Sequence, residues 1–387
     1  MSTSTIDLSD PLSSAEFAIV NSDRLAEIVE RHRRVSLFLQ QENFSALLLQ
    51  QPSNFSWLTV GGCNERGGGT GLTGALFVTP EARVIACSNA DTAQFFESEV
   101  SGMGFQLKER PWFEPRDVML ADLCRGRHMA SDSGFPDTID VRQRLLETRL
   151  PLSDFDAGRL REACELLTHA IEATARGMTP GRTESEIIGE LAHRIVKHGL
   201  QPERLQILAD GRGRRFRRWK YDDSSVQRYC SISAVARSHG LYVGAARTVS
   251  LGEAPAELLR AFEPAALIAA TGIYFSQPEW ELFEVWNRVQ RIYEKNNVAT
   301  EWRLGDQADV VEYEFGTVSV MPTSEYRLTA GTPVYWHPSI GPVLMGDTVL
   351  VTDRGTEILT ATDEWPVIPI SVKGTNVDIP AILVVPT

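Results

Sequence analysis

The chain of 387 residues is long enough to form two domains with separate cores, and its 43% hydrophobic content is ordinary for a globular protein. A formal net charge of −13 argues against a general nucleic-acid binder, because attraction to phosphate needs a basic surface. Five scattered cysteines without a CxxC pair predict neither a zinc site nor disulfides, and no apolar run approaches the length of a membrane span.

The first 20 residues are polar and lack the basic and apolar regions of a signal peptide. We expect them to form a poorly ordered lead-in to a cytoplasmic protein. From residue 22 to residue 40, apolar residues recur at helical spacing after a Ser-Asp cap, which predicts an amphipathic helix. The apolar run SALLLQQ and the two β-rich runs of ALFVTPEARVIACS follow. Residues 21–150 are therefore predicted to form an α/β domain.

The second domain is predicted to span residues 151–387 and to use one pattern twice. Its first helix is expected to end near Gly177, and Thr183 and Glu186 then have the spacing of a capping box for a second helix. A similar helix pair recurs over residues 262–297. Strand-like segments follow each pair, at 229–250 after the first and at 311–322 and 332–359 after the second. We predict an α+β domain in which antiparallel sheet packs against helices.

The segment GTGLTG, residues 69–74, matches the glycine spacing of a dinucleotide-binding loop. That loop needs a helix directly after it, because the helix N-terminus holds the pyrophosphate. The residues that follow here predict a hairpin of strands instead. We therefore predict an ordinary loop between strands, without a nucleotide.

Three stretches resemble the "pita-bread" family that includes aminopeptidase P, prolidase, methionine aminopeptidase and creatinase. NFSWLTVGG is similar to the family's N-x-x-Y-L-T-G element. The stretches RLREACELLTHAIEATARGMTPGRTESEI and LTAGTPVYWHPSIG…MGDTVLVTDRGTEILT resemble segments of its catalytic domain. The resemblance spans about residues 22–362. It implies a C-terminal pita-bread domain, preceded by an α/β creatinase-type N-terminal domain, and by analogy a homodimer.

Metallopeptidases that this chain resembles hold two divalent ions through Asp, Asp, His, Glu and Glu. The positions that match these ligands here are occupied by Ser233, Gly244, Tyr313, His337 and Gly346. None is a carboxylate, and anionic ligands are needed to offset the dehydration of two divalent cations. The resemblance therefore predicts a site without metal, and we expect no other cofactor.

His337 is the first candidate for catalysis, because imidazole titrates near neutral pH and can transfer protons without a metal. We predict Tyr313 or Glu314 as its partner, with strand alternation placing the tyrosine on one face and the neighbouring glutamates on the other. Trp336 and Tyr335 are expected to form a wall of the pocket. The alternative is that His337 is a core histidine, hydrogen-bonded within the protein.

Substrate-binding candidates also follow from the resemblance. The segment that matches the catalytic histidine of creatinase reads DGRGRRFRRWKYDD, with Arg218 or a neighbour at that position. Such a basic run predicts an anionic ligand or, alternatively, a solvated loop that balances acidic neighbours. Arg247 is expected to anchor a substrate carboxylate or to pair with Asp347. The remaining binding candidates are Ser233, Gly244, Gly346 and His239, and the two glycines leave space for a substrate bulkier than a dipeptide.

Three functions are compatible with these residues. The favoured hypothesis is a metal-independent enzyme that uses acid–base side chains on a small anionic substrate, by hydrolysis of a C–N bond as in creatinase or by elimination, isomerisation or cyclisation. The alternative is a peptide- or ligand-binding protein with a lapsed active site, like the peptidase-like domain of the histone chaperone FACT. The third hypothesis, a dinuclear metallopeptidase, needs ligands at other positions.

Overall fold

The computed structural model describes residues 21–66, 71–217, 220–362 and 364–386. The chain divides into two compact units, residues 1–149 and residues 150–387. The expected lead-in of residues 1–20 lies outside the described residues, as do Arg218 and the first two positions of the GTGLTG loop.

The first unit is built on a mixed six-stranded sheet in the order β4-β3-β2-β1-β5-β6. Its strands are β1 (Ala46–Leu49), β2 (Gly74–Val78), β3 (Arg83–Ser88), β4 (Gln106–Arg110), β5 (Met129–Ser131) and β6 (Ile139–Asp140). Its helices are α1 (Ser22–Gln41), α2 (Pro52–Thr59), α3 (Arg116–Cys124) and α4 (Arg142–Arg149), with a π-helical turn over Gln94–Glu99. The predicted hairpin is confirmed, because β2 and β3 pair antiparallel. Strand β2 begins at the last residue of GTGLTG, where a nucleotide loop would need a helix.

Two helix pairs of the second unit confirm the predicted repeat. The first pair is α5 (Asp154–Arg176) with α6 (Glu184–Lys197), and the second is α7 (Ala256–Phe275) with α8 (Leu282–Lys295). The predicted capping box at Thr183 and Glu186 is confirmed, since each side chain accepts a hydrogen bond from the backbone of the other. Helix α8 begins with an equivalent box between Glu281 and Glu284.

The second unit contains a nine-stranded sheet. Its strands are β7 (Gln201–Ala209), β8 (Tyr229–Ser238), β9 (Leu241–Leu251), β10 (Ala308–Val311), β11 (Phe315–Ser319), β12 (Pro333–Trp336), β15 (Gly346–Thr352), β16 (Gly355–Ile358) and β19 (Leu383–Val385). The main path runs β11-β10-β12-β15-β9-β8-β7, while β16 pairs with β15 and β19 pairs with β9. Two separate hairpins join β13 (Ser339–Ile340) to β14 (Val343–Leu344) and β17 (Val367–Val372) to β18 (Thr375–Pro380).

The two faces of this sheet have different neighbours. Arg247 of β9 lies against Glu172 of α5, and the indole of Trp336 on β12 donates a hydrogen bond to Ser276 beside α7. We call this side the helix face. Since side chains alternate along a strand, Ala246 and Tyr335 lie on the opposite side, which we call the inner face.

Helix α7 is the most apolar of the described helices. By length and composition it could cross a membrane, but 72% of its most apolar window is buried inside the structure. A core helix of a globular protein has the same properties. This helix packs against the C-terminal hairpin and the sheet.

Gly272 of α7 provides the space for Trp336. A Cβ atom at this position would lie 2.5 Å from the indole ring, which is shorter than van der Waals contact. We expect Gly272→Ala to lower the free energy of unfolding by about 1–3 kcal/mol, because overpacking outweighs the higher helix propensity of alanine. The control is Gly189→Ala on α6, where the new Cβ meets no atom within 4 Å and should stabilise by about 0.5–1 kcal/mol. Urea denaturation measures both changes in the free energy of unfolding. Changes of the same sign in the two variants would contradict the conclusion that Gly272 provides space for Trp336.

Candidate active site

Three of the positions proposed for binding meet on the inner face. Ser233 of β8 pairs with Ala246 of β9, and Ala246 pairs in turn with Gly346 of β15. Gly244 lies two residues before Ala246, so it shares the same face. The structure therefore brings Ser233, Gly244 and Gly346 together, as the sequence comparison with the pita-bread family implies.

The side chain of Tyr335 fills the space between these three residues. Its hydroxyl lies 3.4 Å from Ser233 Oγ. A Cβ atom at Gly244 would approach the Tyr335 ring to 2.6 Å, and a Cβ atom at Gly346 would lie 2.9 Å from the hydroxyl. Tyr335 is fully buried and packs with Val235 and Val311. The glycines therefore leave space for this tyrosine, and the predicted room for a bulkier substrate at these positions is not present.

His337 follows Tyr335 on the same face and pairs with Asp309 of β10. Its Nε2 atom lies 2.9 Å from Asp309 Oδ2, and the imidazole stacks on the Tyr335 ring with 4.7 Å between ring centroids. Ser319 Oγ donates a hydrogen bond of 2.5 Å to the other carboxylate oxygen of Asp309. Both members of the pair are buried, at 7% exposure for His337 and 2% for Asp309. The histidine is thus held by a carboxylate on one side and an aromatic ring on another.

The proton positions in this pair follow from the state of Asp309. Burial raises the pKa of Asp309, but the hydrogen bond and charge of His337, together with Ser319 and Arg204, outweigh this effect and hold the pKa below its usual value. An ionised carboxylate only accepts hydrogen bonds, so the neutral histidine carries its proton on Nε2. Nδ1 is then the basic nitrogen, and it has no hydrogen-bond partner among the residues that the structure describes.

Asp306 lies close to the same pair. The ligand-competent atoms of Asp306, Asp309 and His337 lie within 4.8 Å of one another, a spacing that could hold one metal ion. Both oxygens of Asp309 already accept hydrogen bonds, from His337 and from Ser319. An ion at this position would therefore compete with two existing contacts.

Comparison with known protein families gives a match within the second unit. The family model described as metallopeptidase family M24 matches residues 158–353, half of the chain. The chain belongs to the metallopeptidase family M24. An uncharacterized peptidase of Staphylococcus saprophyticus is 22% identical over an alignment of 258 positions, and the alignment covers 62% of this chain and 70% of that protein.

Solved structures show the same pita-bread fold over most of this M24 chain. The prolidase from Pyrococcus horikoshii superposes with a TM-score of 0.74 at 17% identity, covering 86% of this chain and 99% of that chain. The dipeptidase PepE from Mycobacterium ulcerans gives a TM-score of 0.74 at 15% identity, covering 94% and 99%. The predicted α+β class and the pita-bread fold are confirmed.

The inner face of this M24 member does not fit the pair of divalent ions that the family resemblance implies. The side chains at Ser233, Gly244 and Gly346 offer no carboxylate, and the Tyr335 side chain occupies the space between them. Burial raises the pKa of the Tyr335 phenol, so the hydroxyl stays protonated and is a poor metal ligand. Among the residues that the structure describes, Asp306, Asp309 and His337 form the one group that could hold an ion.

Two residues expected to assist His337 lie elsewhere in this M24 structure. Residues 312–314 form a bend between β10 and β11 and not a strand, so the predicted alternation of Tyr313 with its neighbouring glutamates is wrong. The Tyr313 hydroxyl donates a 2.7 Å hydrogen bond to Asp156 in the first turn of α5. Glu314 is exposed, whereas Glu312 is buried and accepts a hydrogen bond from Thr317.

Two further candidates lie on the helix face. Trp336 packs over Gly272 of α7, so it cannot form the expected pocket wall beside His337, whose neighbour Tyr335 lies on the inner face. Arg247 donates a 3.0 Å hydrogen bond to Asp347. Pairing with Asp347 was one of the two alternatives that the sequence offered for this residue. The parity of strand positions separates these residues from the inner face.

The basic segment is largely neutralised by acidic side chains. Arg212 contacts Glu184 at 2.9 Å and also pairs with Asp222, Arg217 contacts Glu301 at 2.8 Å, and Arg214 contacts Glu257 at 3.4 Å. These pairs support the interpretation of a loop that balances acidic neighbours. Arg218, the position matched to the catalytic histidine of creatinase, lies outside the described residues. His239 occupies the exposed turn between β8 and β9, with a φ of 49°.

Proposed function

We propose that this chain is a metal-independent enzyme of the M24 family in which His337 transfers protons during a reaction on a small anionic substrate. The observation that carries this proposal is the His337–Asp309 pair, with 2.9 Å between Nε2 and Oδ2 and with a basic Nδ1 that has no partner among the described residues. A histidine oriented by a buried carboxylate on one nitrogen presents the other nitrogen as a general base.

The proposed chemistry needs only these side chains. For hydrolysis of a C–N bond, Nδ1 takes a proton from water as the water oxygen bonds to the substrate carbon. The imidazolium then returns that proton to the leaving nitrogen as the C–N bond breaks. Asp309 stabilises the imidazolium and fixes the tautomer, so it acts as a positioning residue. In an elimination or isomerisation, Nδ1 would take the proton from carbon by the same arrangement.

A cation near the pair supports the anionic character of the substrate. The Arg204 guanidinium lies over the Phe315 ring, at 4.1 Å from its centroid, and Phe315 contacts Tyr335. Arg204 is also close enough to contribute to the lowered pKa of Asp309. The positive charge of Arg204 favours an anionic group near the proposed base.

Removal of metal is the experiment that tests this proposal. Protein purified in the presence of Mn and Co, then dialysed against EDTA, is expected to turn over a compound from a panel of N-acyl amino acids, guanidino acids and dipeptides at a rate within about twofold of undialysed protein. Mass spectrometry of the products and metal analysis of the protein give the two readouts. Stoichiometric metal that is lost in Asp306→Asn and Asp309→Asn would contradict the proposal and would assign the ion to that cluster.

Ligand binding without turnover is the second candidate function. It is favoured by one observation, that Tyr335 fills the region where the family resemblance places the metal ions. Compounds of the same panel that raise the melting temperature but give no product would favour it over catalysis. A homodimer and a cytoplasmic location, both expected from the sequence, stay predictions.

A further inference from the structure

A cavity of about 620 Å³ lies on the helix face of the second unit. It is bordered by the C-terminal end of α7, the turn between β15 and β16, and the hairpin of β17 and β18. The hairpin residues 367–380 follow the end of the family match at residue 353, so the cavity is built partly from sequence outside that match. A volume of this size is typical of small-molecule sites.

Asp347 lines the cavity wall beside Arg247; both residues are buried, and Asp347 is 3% exposed. Its Oδ1 atom accepts hydrogen bonds from Arg247 Nη1 at 3.0 Å and from Thr360 Oγ1 at 2.7 Å. Its Oδ2 atom has no hydrogen-bond partner among the described residues. Because Asp347 lines the cavity, this carboxylate oxygen can accept a hydrogen bond from a donor group of a ligand.

Asp347 belongs to a buried charge network with Arg247 and Glu172. Arg247 lies between two buried carboxylates, with Nε at 3.5 Å from Glu172 and Nη1 at 3.0 Å from Asp347. The same guanidinium also donates to the backbone oxygens of Ala246, Gly346 and Thr360. Arg176 contacts Glu172 at 3.4 Å, which leaves Arg247 as the cation paired with Asp347 in the described chain. Burial and the charge of Glu172 raise the pKa of Asp347, while Arg247 opposes them.

Aromatic and apolar side chains form one part of the cavity wall, beside polar residues such as Gln277 and Asn376. Tyr274 and Trp365 line it, together with Ile358 and Val377. Aromatic faces attract cations and also pack against apolar groups. The rim carries one exposed residue of each charge, Arg354 and Asp378, and therefore does not repel a ligand of either sign.

We propose that this cavity binds a small organic amine, whose cationic head donates a hydrogen bond to Asp347 Oδ2 and whose apolar or aromatic tail packs against Trp365 and Val377. The site is separate from the proposed catalytic pair, because Asp347 and His337 lie on opposite faces of the sheet. It does not depend on the proposed function, and it would hold equally for a protein without turnover.

Calorimetric titration with phenethylamine tests this site, with 2-phenylethanol as a neutral compound of the same shape. We expect the amine to bind at least tenfold more tightly than the alcohol, because only the amine supplies a cation to Asp347. Asp347→Asn should remove that tenfold preference. The control is Asp378→Asn, which removes a carboxylate at the exposed rim and should change the affinity by less than about twofold.

A second variant tests the same cavity independently, in case Asp347→Asn does not fold. Val367 is a half-exposed residue of the cavity wall, so Val367→Trp can place a large ring in the cavity without disturbing the core. We expect Val367→Trp to abolish phenethylamine binding and to leave the denaturation midpoint unchanged. Equal affinity of the unmodified protein for the amine and the alcohol, or no binding of either compound, would overturn the proposal. Undiminished amine binding by Asp347→Asn or by Val367→Trp would also overturn it.

Discussion

Arg247→Met is expected to lower the free energy of unfolding by about 3–5 kcal/mol, measured by urea denaturation near neutral pH. Arg247 is 2% exposed, and its guanidinium lies between the buried carboxylates of Glu172 and Asp347. Methionine fills a similar volume but leaves both acids without this cation. The loss of a counter-charge in a buried site costs more than the loss of a contact at the surface.

The size of this loss should depend on pH. Burial raises the pKa of Asp347, and Arg247 opposes that rise, so the variant is expected to have a still higher folded-state pKa. A carboxyl group with a higher pKa in the folded state binds its proton more tightly there. The unfolding free energy therefore falls as the pH rises through the window between the unfolded and folded pKa values. The destabilisation should be smaller near pH 5 than near neutral pH, where the buried acid must ionise.

Arg161→Met is the matched control for Arg247→Met. Arg161 also connects α5 to the sheet, through Glu357, with distances of 2.9 and 2.7 Å, but both side chains are almost half exposed. A solvent-exposed pair is worth at most about 1 kcal/mol, so this variant should be nearly neutral. Similar losses for the two variants, or a loss at Arg247 that does not vary with pH, would show that packing and not charge dominates at the buried site.

The helix pairs of the second unit and one hairpin of the first unit could be predicted from local sequence. Both helix pairs show apolar spacing over several turns, and Thr183 and Glu186 signal the start of α6 through contacts within four residues. The hairpin of β2 and β3 is equally local, because its turn residues separate two short apolar runs. Such signals depend on residues that are close in the sequence, so they can be recognised without knowledge of the tertiary fold.

The partner of His337 could not be predicted in this way. Asp309 contacts the histidine because β10 pairs with β12 in a register that sets Asp309 opposite Tyr335, and nothing local to either strand specifies that register. The expected partner Tyr313 lies in a bend, where the alternation of a strand does not apply. Glycine at positions 244 and 346 indicates that no side chain projects there, but it cannot show that Tyr335 from another strand takes the space.

His337→Ala is expected to lower kcat by about 10²–10⁴-fold for the compound that is turned over in the metal-free screen, because removal of a general acid–base group has an effect of this size. The pair is positioned for this role, since Asp309 holds Nε2 at 2.9 Å and Tyr335 stacks on the ring. Asp309→Asn should also lower kcat, with a changed pH profile, because an amide can hold the opposite tautomer of the imidazole.

The controls for His337→Ala separate catalysis from folding. His193→Ala removes an exposed imidazole on α6, and it should leave both kcat and the denaturation midpoint unchanged. His337→Gln keeps a polar side chain of similar length. It should be closer in stability to the unmodified protein than His337→Ala is, without restoring turnover. Ser319→Ala removes one hydrogen bond to Asp309 and should have a smaller effect on kcat than Asp309→Asn. If His337→Ala folds normally and retains the kcat of the unmodified protein, the proton transfer must be assigned to another residue.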